Sequence, residues 1–344
     1  MANLSIPFHI NESMTSTALI TGITGQDGYY LSRLLLDKGY RVVGLVPPDR
    51  QESVTKLDDL ADRVDIYSVD LTDSQALRLA VEQLLPTEVY NLAAPSFVPD
   101  SWADPLGTLD LITGTATRLL DAIRAVKLRT RFYQASSSEI FGDVQSAPQS
   151  EQTPFRPKNP YGAAKLHAHW TMVHHREHYG LYACSGILYN HESPRRPPQF
   201  VTRKISLAAA SIKLGLTDRL VMGNLDAKRD WGFAGDYVQA MWQMLQMKAP
   251  DDYVIGTGCL HTVRDLVAAA FAAVDLDWTG YVEVDPTLIR ADEHFQLVAN
   301  PTKAKQKLQW TPQVSFEELI EHMVRQDLER LQAGTVAPLG GHSS

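Results

Sequence analysis

An apolar pentapeptide, Thr17-Ala-Leu-Ile-Thr21, runs straight into Gly22-Ile-Thr-Gly25-Gln-Asp-Gly28, and helical spacing begins near Tyr29. A strand, a glycine turn and a helix in that order leave few folds open. Glycine is needed where the backbone turns tightly and where a pyrophosphate approaches it, and the helix N-terminus then faces the anion. The spacing is GxxGxxG, not GxGxxG, and by itself would suit a plain tight turn. The strand before it and the helix after it favour dinucleotide binding.

The first half of the chain repeats this unit. Tyr30, Leu34 and Leu35 make an apolar stripe that closes at Gly39. Strands are expected at Arg41–Val46, 64–69, 88–92 and Arg131–Ala135, and helices at Ser74–Leu84, 114–126 and 161–178. Such alternation predicts right-handed βαβ units and an α/β fold, a Rossmann-type doubly wound parallel sheet. Beyond about Gly186 the pattern loosens. Proline and arginine crowd 193–199, small strands are expected at Tyr253–Ile255 and 281–284, and 315–331 reads as an amphipathic helix. The expected division is a dinucleotide-binding domain over 15–186, to which the chain can return later, and a smaller, mainly substrate-binding C-terminal lobe over 187–332. Residues 1–14 and 333–344 are expected to be flexible tails. Ligands of such folds lie at the carboxyl ends of the strands, below the lobe.

Composition narrows the partners. The formal charge is −8 over 344 residues, and the pI is about 5.8. A generic affinity for nucleic acid or an anionic membrane is therefore not expected, and an anionic ligand must be gripped by a few local arginines. Cys184 and Cys259 are the two cysteines; they offer no disulfide framework and no CxxC site, which fits a reducing compartment. The first fifteen residues lack a basic start and an apolar stretch of signal-peptide length, and no apolar run reaches the length of a membrane span. A cytoplasmic location is expected.

Two further motifs carry chemistry. Tyr161-Gly-Ala-Ala-Lys165 puts a phenol and an ammonium one helical turn apart on one face, and an ammonium beside a phenol favours phenolate. The pair reads as a proton-transfer device, although such a spacing is often a plain surface pair. Ser136-Ser-Ser-Glu139 ends the strand Arg131–Ala135. Its hydroxyls can hold a substrate oxygen and its carboxylate can take and return a proton; the plainer alternative is a helix-capping cluster with a solvated glutamate. His174-His-Arg-Glu177-His178 matches an inverted zinc-peptidase pattern. At about 100° per residue its histidines lie roughly 220–260° round the helix from Tyr161, away from the crevice. No metal site is expected.

Taken in order, these motifs resemble the extended short-chain dehydrogenase/reductases, and more narrowly the GDP-mannose 4,6-dehydratases. The likeness is carried by Gly22–Gly28, Asp70-Leu-Thr-Asp73, Asn91-Leu-Ala-Ala94, Gln134-Ala-Ser-Ser-Ser-Glu139, Asn190-His-Glu-Ser-Pro-Arg-Arg196, Phe200-Val-Thr-Arg-Lys-Ile205, Arg229-Asp-Trp-Gly232 and Asn300-Pro-Thr-Lys-Ala304. It implies Ser137, Glu139, Tyr161 and Lys165 as the catalytic set. It implies a cofactor, NADP with NAD as the alternative, held by Gly22, Thr24, Gly25, Gln26, Asp27 and Gly28, by Arg50, by Asp70 and Leu71, by Leu92, Ala93 and Ala94, and by Tyr161 and Lys165. A nucleotide sugar would meet Ser96, Ser138, Asn190, Arg195, Val201, Lys204, Arg229, Arg290 and Glu293. The family's assembly implies a homodimer built on helices 114–126 and 161–178, or a homotetramer.

Departures from the pattern surround the ligands. Pro47-Pro48 stands where the family has paired arginines that help hold a 2′-phosphate and join subunits. Asp49, about twenty residues past the glycine turn, could select NAD, whereas Arg50 could serve NADP. Pro95 and Phe97 flank Ser96 where the family has glutamine and histidine. Pro197-Pro198-Gln199 replaces a glycine-acid pair, and Ala291 a proline. The implied reaction is dehydration of GDP-mannose to the 4-keto-6-deoxy sugar nucleotide. A 4-epimerase, a decarboxylase, a 4-keto reductase or a non-catalytic dinucleotide-binding regulator are the rival readings.

Overall fold

The computed structural model describes residues 16–288 and 296–338. The tail expected at 1–14, residues 339–344 of the tail expected at 333–344, and the site candidates Arg290 and Glu293 with Ala291 lie outside the described residues.

The first half folds as strands β1 (Thr17–Thr21), β2 (Arg41–Val46), β3 (Asp65–Ser68), β4 (Glu88–Asn91), β5 (Arg131–Ala135) and β6 (Tyr182–Leu188). Its helices are α1 (Gln26–Asp37), α2 (Ser74–Leu84), short α3 (Asp100–Ala103) and α4 (Pro105–Leu109), α5 (Thr115–Ala125) and α6 (Pro160–Tyr179). The second half adds β7 (Asn190–Glu192), α7 (Val201–Lys213), β8 (Leu220–Met222), β9 (Lys228–Arg229), β10 (Trp231–Phe233) and α8 (Ala234–Gln246). It ends with β11 (Tyr253–Ile255), β12 (His261–Thr262), α9 (Val263–Ala272), β13 (Val282–Val284) and α10 (Phe316–Gln332).

Seven parallel strands form the main sheet in the order β11-β6-β5-β4-β1-β2-β3. The doubly wound α/β sheet expected from the sequence is therefore present. Side-chain alternation sorts each strand onto two cores. Ala18 and Ile20 of β1 and Val42 and Val46 of β2 join α1 and α8 on one face. Leu19, Val43 and Leu45 join α2, α5 and α6 on the other. A third core lies among α7, α9 and α10, beside the two-stranded pairs β10-β7, β12-β9 and β13-β8. The chain thus returns to the main sheet twice, through α8 and β11.

Several elements differ from expectation. Helix α1 starts at Gln26, not near Tyr29, and buries Tyr29, Leu31 and Leu35, while Tyr30 and Leu34 are only partly buried. The polar stretch after β2 is a kinked 3₁₀ segment, Pro48–Leu60, anchored by buried Leu57 and Leu60. A π-helical turn, Asp110–Gly114, leads into α5. Strand β13 is one residue shorter than the strand read at 281–284.

Candidate active site

The carboxyl ends of the main strands open into a cleft of about 1420 Å³ roofed by β7, the start of α7 and the β9–β10 region. Its floor is the glycine turn. Gly22 has φ +72, and a Cβ there would lie 2.9 Å from the Ala93 nitrogen. A Cβ on Gly28 would lie 2.4 Å from the carbonyl oxygens of both Gly22 and Ile23. Only glycine lets the turn pack this tightly against β4 and α1. Helix α1 begins on Gly25 without a side-chain cap, so the amides of its first turn are left for an anion in the cleft. Thr21 locks the neighbouring strand end: its hydroxyl donates to Asn91 Oδ1 at 2.6 Å and accepts from the Leu92 and Ala93 amides. Asn91 in turn donates to Gln134 Oε1 at 2.8 Å. These bonds hold the ends of β1, β4 and β5 level at the floor, and the residues there suit a dinucleotide.

One wall carries the phenol, ammonium and carboxylate singled out in the sequence. Asn159 caps α6, accepting from the Gly162 amide at 2.7 Å, and Pro160 occupies the first helical position. One turn of this helix then presents Tyr161 and Lys165 to the cleft. The Lys165 ammonium donates to the Ala135 carbonyl at 2.8 Å and lies 5.6 Å from the Tyr161 ring centre. Burial brings this lysine down to about 8, against the pull of Asp27. Tyr161 departs from the expected lowered phenol: burial pushes it up to about 12, opposed by a hydrogen bond with Ser137 and reinforced by the Glu139 charge. Ser137 also accepts the Glu139 amide at 3.2 Å, starting a 3₁₀ turn, so the hydroxyl caps the turn and stands in the cleft as well. Glu139 Oε2 accepts from Asn159 Nδ2 at 2.8 Å.

Most of the remaining sequence candidates line this cleft: Thr24, Gln26, Asp27, Arg50, Asp70, Leu71, Leu92 and Ala94 toward the floor, and Ser96, Asn190, Arg195, Val201, Lys204 and Arg229 toward the roof. Ser138 is the exception. It is buried and does not line the cleft, because a 3₁₀ turn points successive side chains about 120° apart. The cations on the roof are engaged by the protein itself. Arg195 donates to the Lys56 carbonyl at 2.6 Å, pairs with Asp58 and covers the Tyr29 ring at 3.2 Å. Lys204 donates to the Val221 carbonyl at 2.7 Å, and burial lowers its pKa. Arg229 donates to the Lys228 carbonyl at 2.8 Å. Sequence reasoning missed Asn159, Ser53, Lys56 and His191, all of which line the cleft. His191 lies inside the 190–196 block, Asn159 carries only the Asn-Pro signal of a helix start, and Ser53 and Lys56 carry no motif. Among the described residues no cluster of histidine, cysteine or carboxylate could hold a metal, and His174 and His178 are exposed on α6.

A seven-stranded parallel sheet with this glycine turn, and a Tyr161–Lys165 helix facing a Ser137–Glu139 strand end, define an extended short-chain dehydrogenase/reductase. The family can be given more narrowly. The family model described as GDP-mannose 4,6 dehydratase matches residues 19–323. GDP-mannose 4,6 dehydratase 1 of Arabidopsis thaliana is 48% identical over 326 residues, 91% of this chain and 90% of that protein. The Homo sapiens GDP-mannose 4,6 dehydratase is 45% identical over 344 residues, 92% of each. The chain belongs to the GDP-mannose 4,6-dehydratase family, a family of hydro-lyases. Its fold is also that of the dTDP-glucose 4,6-dehydratase from Streptomyces venezuelae solved with NAD, at TM-score 0.80 and 22% identity, covering 92% of this chain and 98% of that one.

Proposed function

We propose that this protein converts GDP-mannose to GDP-4-keto-6-deoxymannose. The observation that carries the reading is the placing of Glu139 in the cleft wall with Ser137 and Tyr161. An elimination needs a carboxylate beside the redox tyrosine; a simple epimerisation or reduction does not. Tyr161 takes the O4 proton as C4 is oxidised, and the Ser137 hydroxyl bonded to that phenol holds the O4 oxygen. The C4 ketone acidifies the C5 proton. Glu139 takes it and passes it to the C6 hydroxyl, which leaves as water. C6 is then reduced, and C5 receives a proton from solvent that balances the one released from O4. A nicotinamide dinucleotide supplies, when bound, the hydride acceptor for C4 and the donor for C6, and the charge of its oxidised ring favours phenolate.

The open amides of α1, the strand ends at Asp70–Leu71 and Leu92–Ala94, and Lys165 would hold that cofactor. We read it as NADP, because Arg50 and Lys56 both line the floor beyond β2 and suit a 2′-phosphate. Asp49 lines the same region and keeps NAD as the alternative. Chromatography of the dinucleotide released from purified protein decides between them. Ser96, Asn190 and Val201 are assigned to the sugar and its phosphates, and Arg195, Lys204 and Arg229 to the nucleotide. Residues 15–186, with α8 and β11, form the dinucleotide-binding part in this reading, and the remainder of 187–332 the substrate lobe. The free thiols of Cys184 and Cys259 are in keeping with the cytoplasm. Incubation with GDP-mannose followed by mass spectrometry tests the reaction: a product lighter by one water supports it, and an unchanged mass or an epimer refutes it.

A further inference from the structure

We infer that Asn159 is a positioning residue for Glu139, holding one carboxylate oxygen so that the other is left for the C5 proton. The inference rests on the reading of Glu139 as the acid/base of the elimination.

Asn159 uses both ends of its amide. Oδ1 accepts from the Gly162 amide at 2.7 Å, and Nδ2 donates to Glu139 Oε2 at 2.8 Å. Its orientation is set by its partners. A backbone N–H can only donate and an ionised carboxylate can only accept, so the reversed amide would set donor against donor and acceptor against acceptor. The side chain that starts the helix bearing Tyr161 and Lys165 therefore also aims the glutamate.

The backbones beneath this bond are already in contact. A Cβ on Gly162 would lie 2.6 Å from the Glu139 carbonyl oxygen, so the start of α6 and the Ser137–Glu139 turn cannot slide past one another. What remains free is the Glu139 side chain. Among the described residues Asn159 alone donates a side-chain hydrogen bond to its carboxylate. A neutral donor suits this position, because it orients the carboxylate without supplying a positive charge that would weaken it as a base. The charged and titratable groups sharing the cleft include Tyr161, Lys165 and Lys158 on the α6 side, Arg196 and His191 opposite and Asp27 below, with Glu192, Arg195, Lys204 and Arg229 on the roof and Asp49, Arg50, Lys56 and Asp70 on the floor beyond β2. None of them is changed by a substitution at 159.

Serine and aspartate both cap helices well, so Asn159→Ser and Asn159→Asp keep the cap; the aspartate has no donor, and the serine hydroxyl ends one bond short of the amide nitrogen that reaches Glu139. Both variants should match the parent in melting temperature and bound dinucleotide. With GDP-mannose, kcat should fall about ten-fold in Asn159→Ser, the worth of one hydrogen bond to a charged group, and further in Asn159→Asp, with KM little changed. Reduced cofactor should accumulate during turnover, because C4 oxidation proceeds while elimination lags. A readout independent of substrate is the ¹³C NMR titration of the Glu139 carboxyl, assigned by its loss in Glu139→Gln. Its midpoint should move to higher pH in Asn159→Ser, and further in Asn159→Asp, where a second carboxylate disfavours the charge. Parent-like rates and an unmoved midpoint in both variants would reduce Asn159 to a helix cap and overturn the inference. If the parent releases no water from GDP-mannose, the functional reading fails while the titration still decides the tether.

Discussion

Tyr161 is 8% exposed, and burial pushes its phenol up to about 12. Such a group is a poor base near neutral pH unless positive charge is brought to it, as the oxidised nicotinamide ring of the proposed reaction would do. Tyr161→Phe removes the proton acceptor and leaves the packing. Turnover should drop by about 10² or more, with the fold and the bound dinucleotide retained; a near-parent rate in a steady-state assay would take Tyr161 out of the mechanism. Glu139→Gln separates the later step. Tyr161 and Lys165 remain, so C4 oxidation should still occur, but an amide cannot accept the C5 proton. Reduced cofactor should build up, seen by its near-ultraviolet absorbance, and solvent deuterium should enter C5 in the parent and not in the variant. Dehydration by Glu139→Gln at close to the parent rate would assign the base elsewhere.

Between elements, one contact that joins the glycine turn to the roof of the cleft is made by a histidine on β7. His191 Nδ1 lies 2.8 Å from the Tyr189 carbonyl and Nε2 lies 2.8 Å from Asp27 Oδ2 in the first turn of α1. Both partners only accept, so both ring nitrogens carry protons and the ring is an imidazolium. It stacks on Tyr237 at 4.7 Å. Burial alone would lower His191, but the Asp27 charge and hydrogen bond raise it. Burial would raise Asp27, but His191 brings it down. A raised histidine contributes stability fully below its unfolded value of 6.5 and loses it as the pH climbs through the folded value. A lowered carboxylate contributes above its unfolded value of 3.8 and loses it as the pH falls through the folded one. The tie is therefore strongest between these limits. His191→Gln should cost about 3 kcal/mol near pH 5.5, and the gap in melting temperature from the parent should narrow at pH 9. A gap independent of pH would mean that the ring is neutral. Little of this contact is legible in the sequence. Strands β1 and β5 are legible because their apolar runs end at glycine or serine, β2 because its run stops at Pro47-Pro48, and α2 because Asp73 accepts from the Gln75 and Ala76 amides at its start. His191 and Asp27, 164 residues apart, meet only because β7 crosses above the glycine turn, and no local pattern encodes that crossing. Asn159 is hidden for a different reason: an Asn-Pro pair signals a helix start, and its second hydrogen bond depends on where β5 ends.

At the scale of the molecule, four of the bulky exposed apolar side chains fall on one region. Trp102 is 66% exposed, Leu106 78%, Leu109 42% and Trp170 44%, and they sit on α3, α4 and the adjoining α6. Single exposed apolar residues are ordinary, but a group of four bulky ones on helices packed together is a face that water disfavours. We propose that this face, with α5, is the homodimer contact: two copies related by a two-fold axis would stack α5 and α6 of each into a four-helix bundle. Pro47-Pro48 and the 3₁₀ segment after β2 lack the paired arginines that resemblance associates with a further tetramer contact, so the dimer is the expected species. A standard interface buries about 1,600 Å², and charges at its centre are costly to desolvate. Leu106→Glu combined with Trp170→Glu should therefore convert a dimer at micromolar concentration into a monomer in light scattering. Because Trp102 also lines the cleft, the monomer should bind GDP-mannose less tightly than the dimer. A parent protein that is monomeric at that concentration would remove the interface, and a variant that stays dimeric would place it on another face.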